Sequence, residues 1–252
     1  MNDSFERRLA RAAELTQQHT ECSGLLEFYS RLLRIQERIF ADLRNSRQTD
    51  PGALSGYFPE VLQLVSRNGP DSLVNFADKC LRTREAGEEL LRRFWDTAGS
   101  DDQEEPAKFF ARSLLQPWAE HLASRGNPDT VQAQPRCPFC SARPVLGVLR
   151  GEGDGAKRSL ICSLCATEWQ YRRVVCPACG EEQKDRLPVY IPADPGYVRI
   201  DACDVCRTWL KSVDLTKNGR AVPVVDDLAT TALNIWAEEQ GYARVETNIL
   251  GI

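Results

Sequence analysis

The run Cys162-Ser-Leu-Cys-Ala-Thr-Glu-Trp-Gln-Tyr-Arg-Arg-Val-Val-Cys-Pro-Ala-Cys179 contains two Cys-x-x-Cys pairs separated by ten residues. Each has a counterpart further away: Cys137-Pro-Phe-Cys140 upstream and Cys203-Asp-Val-Cys206 downstream. A C-x-x-C turn points both sulfurs to one side, and its backbone N–H groups donate to the thiolates. Two such turns facing each other complete a tetrahedron around a metal ion. The 21 residues between Cys140 and Cys162, and the 23 between Cys179 and Cys203, leave room for the hairpin that a ribbon site needs. The spacing therefore predicts two tandem four-thiolate sites, Cys137, Cys140, Cys162 and Cys165 in one, Cys176, Cys179, Cys203 and Cys206 in the other. Each would be closed by four protein ligands, with no vacant position for a reacting water, and metal binding would supply much of the folding energy.

Around these pairs the pattern has the period of strands: Pro144–Arg150, Arg158–Cys162, Glu168–Val175, Leu187–Ile191, Tyr197–Ala202 and Thr208–Val213, separated by turns such as Gly151-Glu-Gly-Asp-Gly155. Asp226-Asp227 is placed to cap a last helix that ends at Gly241. Upstream, residues 1–125 have helical periodicity. A broad apolar stripe runs from Leu25 to Leu43, a second helix follows Pro59 and stops at Asn68-Gly69-Pro70, and a third spans Ser72 to Trp95 with Gly87 weakening its middle. A fourth covers Ala107 to Ser124, and Pro117 inside it should kink or split it. Gly99-Ser-Asp-Asp-Gln-Glu-Glu-Pro106 reads as an acidic loop. The polar stretch 127–135, with two prolines, reads as a domain boundary. The expectation is an α+β protein: a helical domain over 1–126, a linker over 127–135, a first ribbon over 136–175, and a second ribbon with the C-terminal helix over 176–252.

Composition narrows the function. The 252 residues carry a net charge of −4. Residues 136–220 hold 14 Lys and Arg against 10 Asp and Glu, a balance of +4, and the rest of the chain −8. Two divalent ions on four thiolates each would add −4 and cancel the local excess, so a nucleic-acid partner is not expected. The Arg7-Arg8 pair is not followed by an apolar stretch, and no run approaches the roughly 18 apolar residues that span a bilayer. A cytoplasmic protein without membrane insertion is therefore expected, in a compartment where paired cysteines chelate rather than form disulfides. There is no Gly-rich phosphate loop, no nucleophile elbow and no histidine placed as a general base, so the chain is read as a non-enzyme. Cys22 and Cys80 are read as core residues, and His19 and His121 as surface or rim residues. A homodimer is compatible with these features and required by none.

The string Cys162 to Cys176 resembles the FdhE family, accessory proteins for formate dehydrogenase. So do Cys137-Pro-Phe-Cys140, Thr208-Trp-Leu-Lys211 and Val225-Asp-Asp-Leu-Ala229. The resemblance covers about residues 136–245. It implies a helical N-terminal domain followed by two rubredoxin-like modules, and a cytoplasmic protein that acts on the catalytic subunit of respiratory formate dehydrogenase before export. It also implies the eight paired cysteines as ligands, with iron as the metal; four thiolates by themselves accept iron or zinc. A rubredoxin-like electron carrier and a nucleic-acid-binding zinc ribbon are the rival readings. One departure stands out. Glycine commonly follows the second cysteine of such a knuckle, and only Gly180 does so here, with Ser141, Ala166 and Arg207 in the other places. A side chain at positive φ costs about 1 kcal/mol, which predicts strained or altered knuckles at those three positions.

Overall fold

A computed structural model of the chain describes residues 3–45, 49–97, 103–127, 133–153 and 155–252. The N-terminal half is a bundle of six helices: α1 (Asp3–Gln18), α2 (Ser23–Arg44), α3 (Phe58–Asn68), α4 (Asp71–Cys80), α5 (Arg84–Asp96) and α6 (Glu105–Arg125). The stripe expected from Leu25 to Leu43 forms one face of α2, where Leu26, Phe28, Tyr29, Leu32, Leu33 and Ile39 are buried. Burial on α6 runs almost all round, as befits the central helix of a bundle.

Four expectations for this half are corrected. The predicted third helix is two helices, α4 and α5, broken at Leu81-Arg82-Thr83. There Thr83 takes an extended conformation and its hydroxyl accepts from the Ala86 amide at 3.3 Å, an N-cap that starts a new helix. Gly87 is not the weak point; it lies buried inside α5, where a Cβ would stand 2.7 Å from the Phe58 ring. Pro117, in turn, neither splits α6 nor ends it. A proline at 117 deprives the Ser113 carbonyl of its helical partner. Gln36, buried on α2, donates its amide to that carbonyl at 3.1 Å, so the orphaned acceptor is satisfied from a neighbouring helix. Cys22 is buried as expected, but Cys80 is exposed at the end of α4, and His121 is buried, edge-on to the Phe40 ring.

The C-terminal half is a single mixed sheet of seven strands. The first ribbon contributes β1 (Pro144–Glu152), β2 (Gly155–Cys162) and β3 (Glu168–Gln170). The second contributes β4 (Val189–Tyr190), β5 (Val198–Cys203) and β6 (Thr208–Asp214), and β7 (Ala243–Arg244) lies beyond. The order is β3-β2-β1-β6-β5-β4, with β7 against β6. Neighbours within a ribbon are antiparallel, but β1 meets β6 in parallel through Gly147↔Ser212 and Val148↔Val213, and this fuses the ribbons side by side. The third strand is shorter than its apolar run because the chain turns away at Tyr171. Arg158 donates through Nη1 to the carbonyls of Arg172, Arg173 and Val175, which holds that turn in place. The fourth is trimmed between Pro188 and Pro192, which have no amide to offer a ladder.

The predicted last helix is also two, α7 (Pro223–Ala229) and α8 (Thr231–Glu239). Asp226 and Asp227 lie within α7, fully buried, and do not cap it. Arg11 of α1 pairs with Asp226, which also accepts from the Tyr197 hydroxyl at 2.7 Å and the Val222 amide at 2.7 Å. Asp227 receives Arg244 through both oxygens at 2.9 Å and Asn248 at 2.8 Å, and stands 2.9 Å from Lys211 Nζ. Arg112 of α6 reaches Glu246 at 2.6 Å. Arg11–Asp226 and Arg112–Glu246 form a buried polar seam between the helical half and the C-terminal half, and the Asp227 cluster ties α7 to the sheet. The main apolar core crosses the same border, with Phe109 and Leu114 of the bundle and Leu160, Trp169 and Leu210 of the sheet in one cluster. Residues 99–102 of the expected acidic loop and 128–132 of the expected boundary lie outside the described residues, and Glu105 and Pro106 already belong to α6.

Candidate metal centres

Each knuckle is a tight hairpin tip whose amides serve its first cysteine. The Cys137 amide donates to the Ala142 carbonyl at 3.0 Å, and the Phe139 amide to Cys137 Sγ at 3.4 Å. Cys162 and Cys176 repeat the arrangement, with the Leu164 and Ala178 amides on their sulfurs at 3.3 and 3.4 Å. All four residues after the second cysteines, Ser141, Ala166, Gly180 and Arg207, have φ between 53° and 80°. The three non-glycine residues therefore keep the glycine conformation instead of altering the knuckle, and among the described residues no other non-glycine side chain has positive φ. Ala166→Gly should relieve this strain and leave stability unchanged or raise it by up to about 1 kcal/mol. An Ala→Gly change inside a helix costs a similar amount in the opposite direction. Urea unfolding of the metal-loaded chain checks the sign.

The predicted pairing is the one the fold assembles. Cys137, Cys140, Cys162 and Cys165 converge in one group, Cys176, Cys179, Cys203 and Cys206 in the other, with sulfurs within 4.8 Å of one another in each. In the first group, sulfurs stand 3.4 to 3.5 Å apart at Cys140–Cys162, Cys137–Cys165 and Cys140–Cys165. In the second, Cys176–Cys206 and Cys179–Cys203 are both 3.7 Å apart. Tetrahedral ligation at the usual zinc–sulfur length places sulfurs about 3.8 Å apart, so both donor sets fit an ion of that kind. The two groups could hold two metal ions, and an all-sulfur donor set accepts iron as readily as zinc.

Two threonines were not picked out from sequence. Thr167 Oγ1 lies 3.0 Å from Cys165 Sγ, and Thr208 Oγ1 lies 3.0 Å from Cys206 Sγ. The signal was present: Cys162-x-x-Cys-x-Thr167 and Cys203-x-x-Cys-x-Thr208 share one pattern, so each ribbon sets one hydroxyl beside its last sulfur. Such outer partners orient ligands and tune a metal.

The thiols in each group do not titrate independently. Sulfur contacts, led by Cys140, hold Cys137 well below the ordinary thiol range, while burial pushes Cys162 well above it. In the second group burial pushes Cys179 up to about 12. Burial works the same way on Cys206, but the Thr208 hydroxyl and the other three sulfurs bring it below its usual value. Four crowded thiols compete for protons that a divalent cation displaces.

The two centres differ in setting. The first is tied to the helical bundle: Gln116 of α6 donates to the Ser163 carbonyl at 2.8 Å, and Phe139 packs where a Cβ on Gly126 would sit. The second stands away from the bundle, with Cys179 exposed and Cys206 partly so. Trp169, Tyr171 and Trp209 are buried beside the centres, as core residues.

Two family profiles match this chain, "FdhE, central domain" over residues 136–173 and "FdhE, C-terminal domain" over residues 160–250. A protein FdhE homolog of Aquifex aeolicus is 33% identical over 200 residues, 77% of this chain and 69% of its own. One from Pseudomonas aeruginosa is 29% identical over 98% of this chain and 90% of its own. The crystal structure of the FdhE protein from Pseudomonas aeruginosa superposes with a TM-score of 0.72 over 99% of this chain and 96% of that one, at 24% identity, a likeness of fold. With two four-cysteine ribbons fused to a helical bundle, and with these relatives, the chain belongs to the FdhE family.

Proposed function

We propose that this chain is an accessory protein for respiratory formate dehydrogenase that binds the catalytic subunit in the cytoplasm before export and has no turnover of its own. The observation that carries the reading is the pair of closed four-cysteine groups. In this reading Cys137, Cys140, Cys162 and Cys165 hold one ion and Cys176, Cys179, Cys203 and Cys206 the other, with iron as the native metal. Four protein sulfurs per ion leave substrate no coordination position, which favours a role in binding. Among the described residues no helix is long and apolar enough to cross a membrane. The exposed apolar side chains Val174, Val189, Ile191 and Val205 all belong to or adjoin the second ribbon, which suits that ribbon to contact with a client. The same reading divides the chain into a helical domain over 1–126, a linker over 127–135 and modules over 136–175 and 176–252.

A pull-down of the tagged chain from native cytoplasm under anaerobic conditions, with metal analysis of the eluate, tests this. The expected result is the catalytic subunit in the eluate and iron in the chain. Zinc alone in such a preparation would overturn the choice of metal, and an eluate free of the subunit would overturn the client. The electron-carrier reading draws on one observation, the exposure of Cys179, which brings the second centre to the surface. A stable, reversible one-electron couple, together with client binding that does not need the metals, would favour that reading instead.

A further inference from the structure

The faces of β2, β5 and β6 border a pocket of about 230 Å³ between the two ribbons. Its wall includes Cys176 and Cys203, its floor Leu210 and Trp209, and its charged lining is Arg158, Arg173, Lys184, Arg199 and Asp201. Four cations thus face one carboxylate. Arg158 Nη2 stands 3.3 Å from Asp201 Oδ2, and Arg199 Nε stands 2.8 Å from Asp201 Oδ1, while Arg199 Nη2 donates to Asp201 Oδ2 at 3.4 Å. Ser212 also donates to Asp201 Oδ2 at 2.7 Å, and fits there because residue 147 is glycine: a Cβ on Gly147 would lie 2.2 Å from the Ser212 hydroxyl oxygen. Two guanidiniums with side-chain exposures of 2% for Arg158 and 15% for Arg199 therefore share one anionic partner, and the other acceptors of Arg158 are the neutral carbonyls of residues 172, 173 and 175. Arg158 Nε and Trp209 Nε1 are buried with no hydrogen-bond acceptor among the described residues. An excess of sheltered positive charge is costly and gives the pocket a preference for an anion.

The second metal centre is one source of negative charge nearby, since a divalent ion on four thiolates carries −2. It does not take up these cations directly. Among the described residues the sulfurs of Cys176 and Cys206 receive the Ala178 amide and the Thr208 hydroxyl, not a guanidinium or ammonium. The rim sets exposed Val174 and Val189 beside exposed Arg173 and Lys184, with Arg158 and Arg199 more deeply placed. Cations and apolar side chains side by side match an anionic group attached to a small hydrophobic one.

We propose that the pocket between the ribbons binds a carboxylate carried next to an apolar side chain, as at a peptide C-terminus, with Arg199 and Lys184 as its charged contacts. The site stands on the charge and shape of the pocket, whatever the client of the chain is. N-acetyl-leucine, titrated into the full metal-loaded chain at low salt, is a suitable probe, and the Trp209 indole N–H resonance reports occupancy because that ring lines the pocket. Saturable binding is expected, weakened about tenfold or more by Arg199→Gln or Lys184→Gln and unchanged by the distant Arg67→Gln. Arg199→Gln leaves Arg158 and Asp201 as a balanced pair, so the fold should survive it; Arg158 itself is avoided because it holds the turn at residues 172–175. N-acetyl-leucinamide, which lacks the charge, should not bind. Equal binding of the amide, no loss in either variant, or no saturable shift of Trp209 overturns the proposal. Binding of inorganic phosphate without N-acetyl-leucine would also overturn it, because the site would then serve a free inorganic anion.

Discussion

Asp227→Ala is expected to destabilise the folded chain by about 3–5 kcal/mol, measured as the loss in urea-unfolding free energy with both metals in place. Asp227 is fully buried and is the carboxylate on which Arg244 and Lys211 converge, Arg244 with both oxygens and Lys211 at 2.9 Å. Removing it leaves a buried ammonium and a buried guanidinium without their counter-ion. Lys211 keeps only neutral acceptors, the carbonyls of residues 227 and 230 and the Thr230 hydroxyl. Lys211→Met should cost less, because Asp227 would still hold Arg244 and Asn248 and the methionine fills the same space. If Asp227→Ala cost no more than an exposed substitution, the buried cluster that ties α7 to β6 and β7 would not be the joint described here.

The same residues give a pH signature with a definite sign. Burial works to raise the Asp227 carboxyl, but Arg244 and Lys211, with the Asn248 hydrogen bond, hold it at about 2, below its ordinary 3.8. The stability it contributes, about 2 kcal/mol, is therefore present above pH 3.8 and lost as pH falls toward 2. Lys211 is also lowered, but toward its neutral form: burial, and like-charged Arg244, outweigh Asp227 and bring it to about 8 from 10.5. The folded chain gives up that proton before the unfolded chain does, so the burial penalty is present below pH 8 and is relieved as pH rises to 10.5. The two differ because Asp227 faces two cations, whereas Lys211 faces one anion and one cation. Difference curves of Asp227→Asn and Lys211→Met against wild type isolate these windows from acid release of the metals.

Cys140→Ser should remove one metal ion per chain and leave the other. Cys140 belongs to the first group alone, 3.4 Å from Cys162 and 3.5 Å from Cys165, and the second group is complete without it. A hydroxyl is a poor substitute for a thiolate toward iron or zinc, and one weak ligand in four opens the closed site. The first centre also shares the main core with the bundle, so its loss should lower the unfolding midpoint, whereas loss of the second centre should loosen chiefly β4 to β6. Metal analysis and hydrogen exchange on the same sample check both parts. Loss of both ions from a chain that stays folded would mean that the sites are interleaved.

The parts of this molecule that were legible in the sequence are those whose signals are local. Four C-x-x-C turns specify both the converging sulfurs and, through interval length, the pairing of knuckles. Apolar periodicity places α2, α3 and α6, and the short runs beside the knuckles place six of the strands. What was not legible depends on distant partners. Pro117 marks a break by every local rule, and only Gln36, on another helix, explains why α6 continues. An Asp226-Asp227 pair near a helix start has the look of a cap; burial against Arg11, Arg244 and Lys211 comes from residues 16 to 215 positions away. The parallel match of β1 with β6, which turns two ribbons into one sheet, leaves no spacing to read. Thr83 is the exception: its cap is a local signal, but the apolar stripe continues across it and masks the break.

In the proposed reading the chain acts by holding a client, and an intact second centre is needed to hold it. Formate oxidation in a strain lacking this gene, complemented with wild type or with Cys203→Ser, measures this, with co-purification of the catalytic subunit scored alongside. Cys203 lies at the end of β5 and, through its contact with Cys179, completes the second group. Low activity is expected in the deletion strain despite a normal amount of catalytic polypeptide, with recovery by wild type, and loss of both activity and co-purification with Cys203→Ser. Full formate oxidation in the deletion strain, or undiminished client binding by a folded Cys203→Ser chain that has lost the ion, would contradict it.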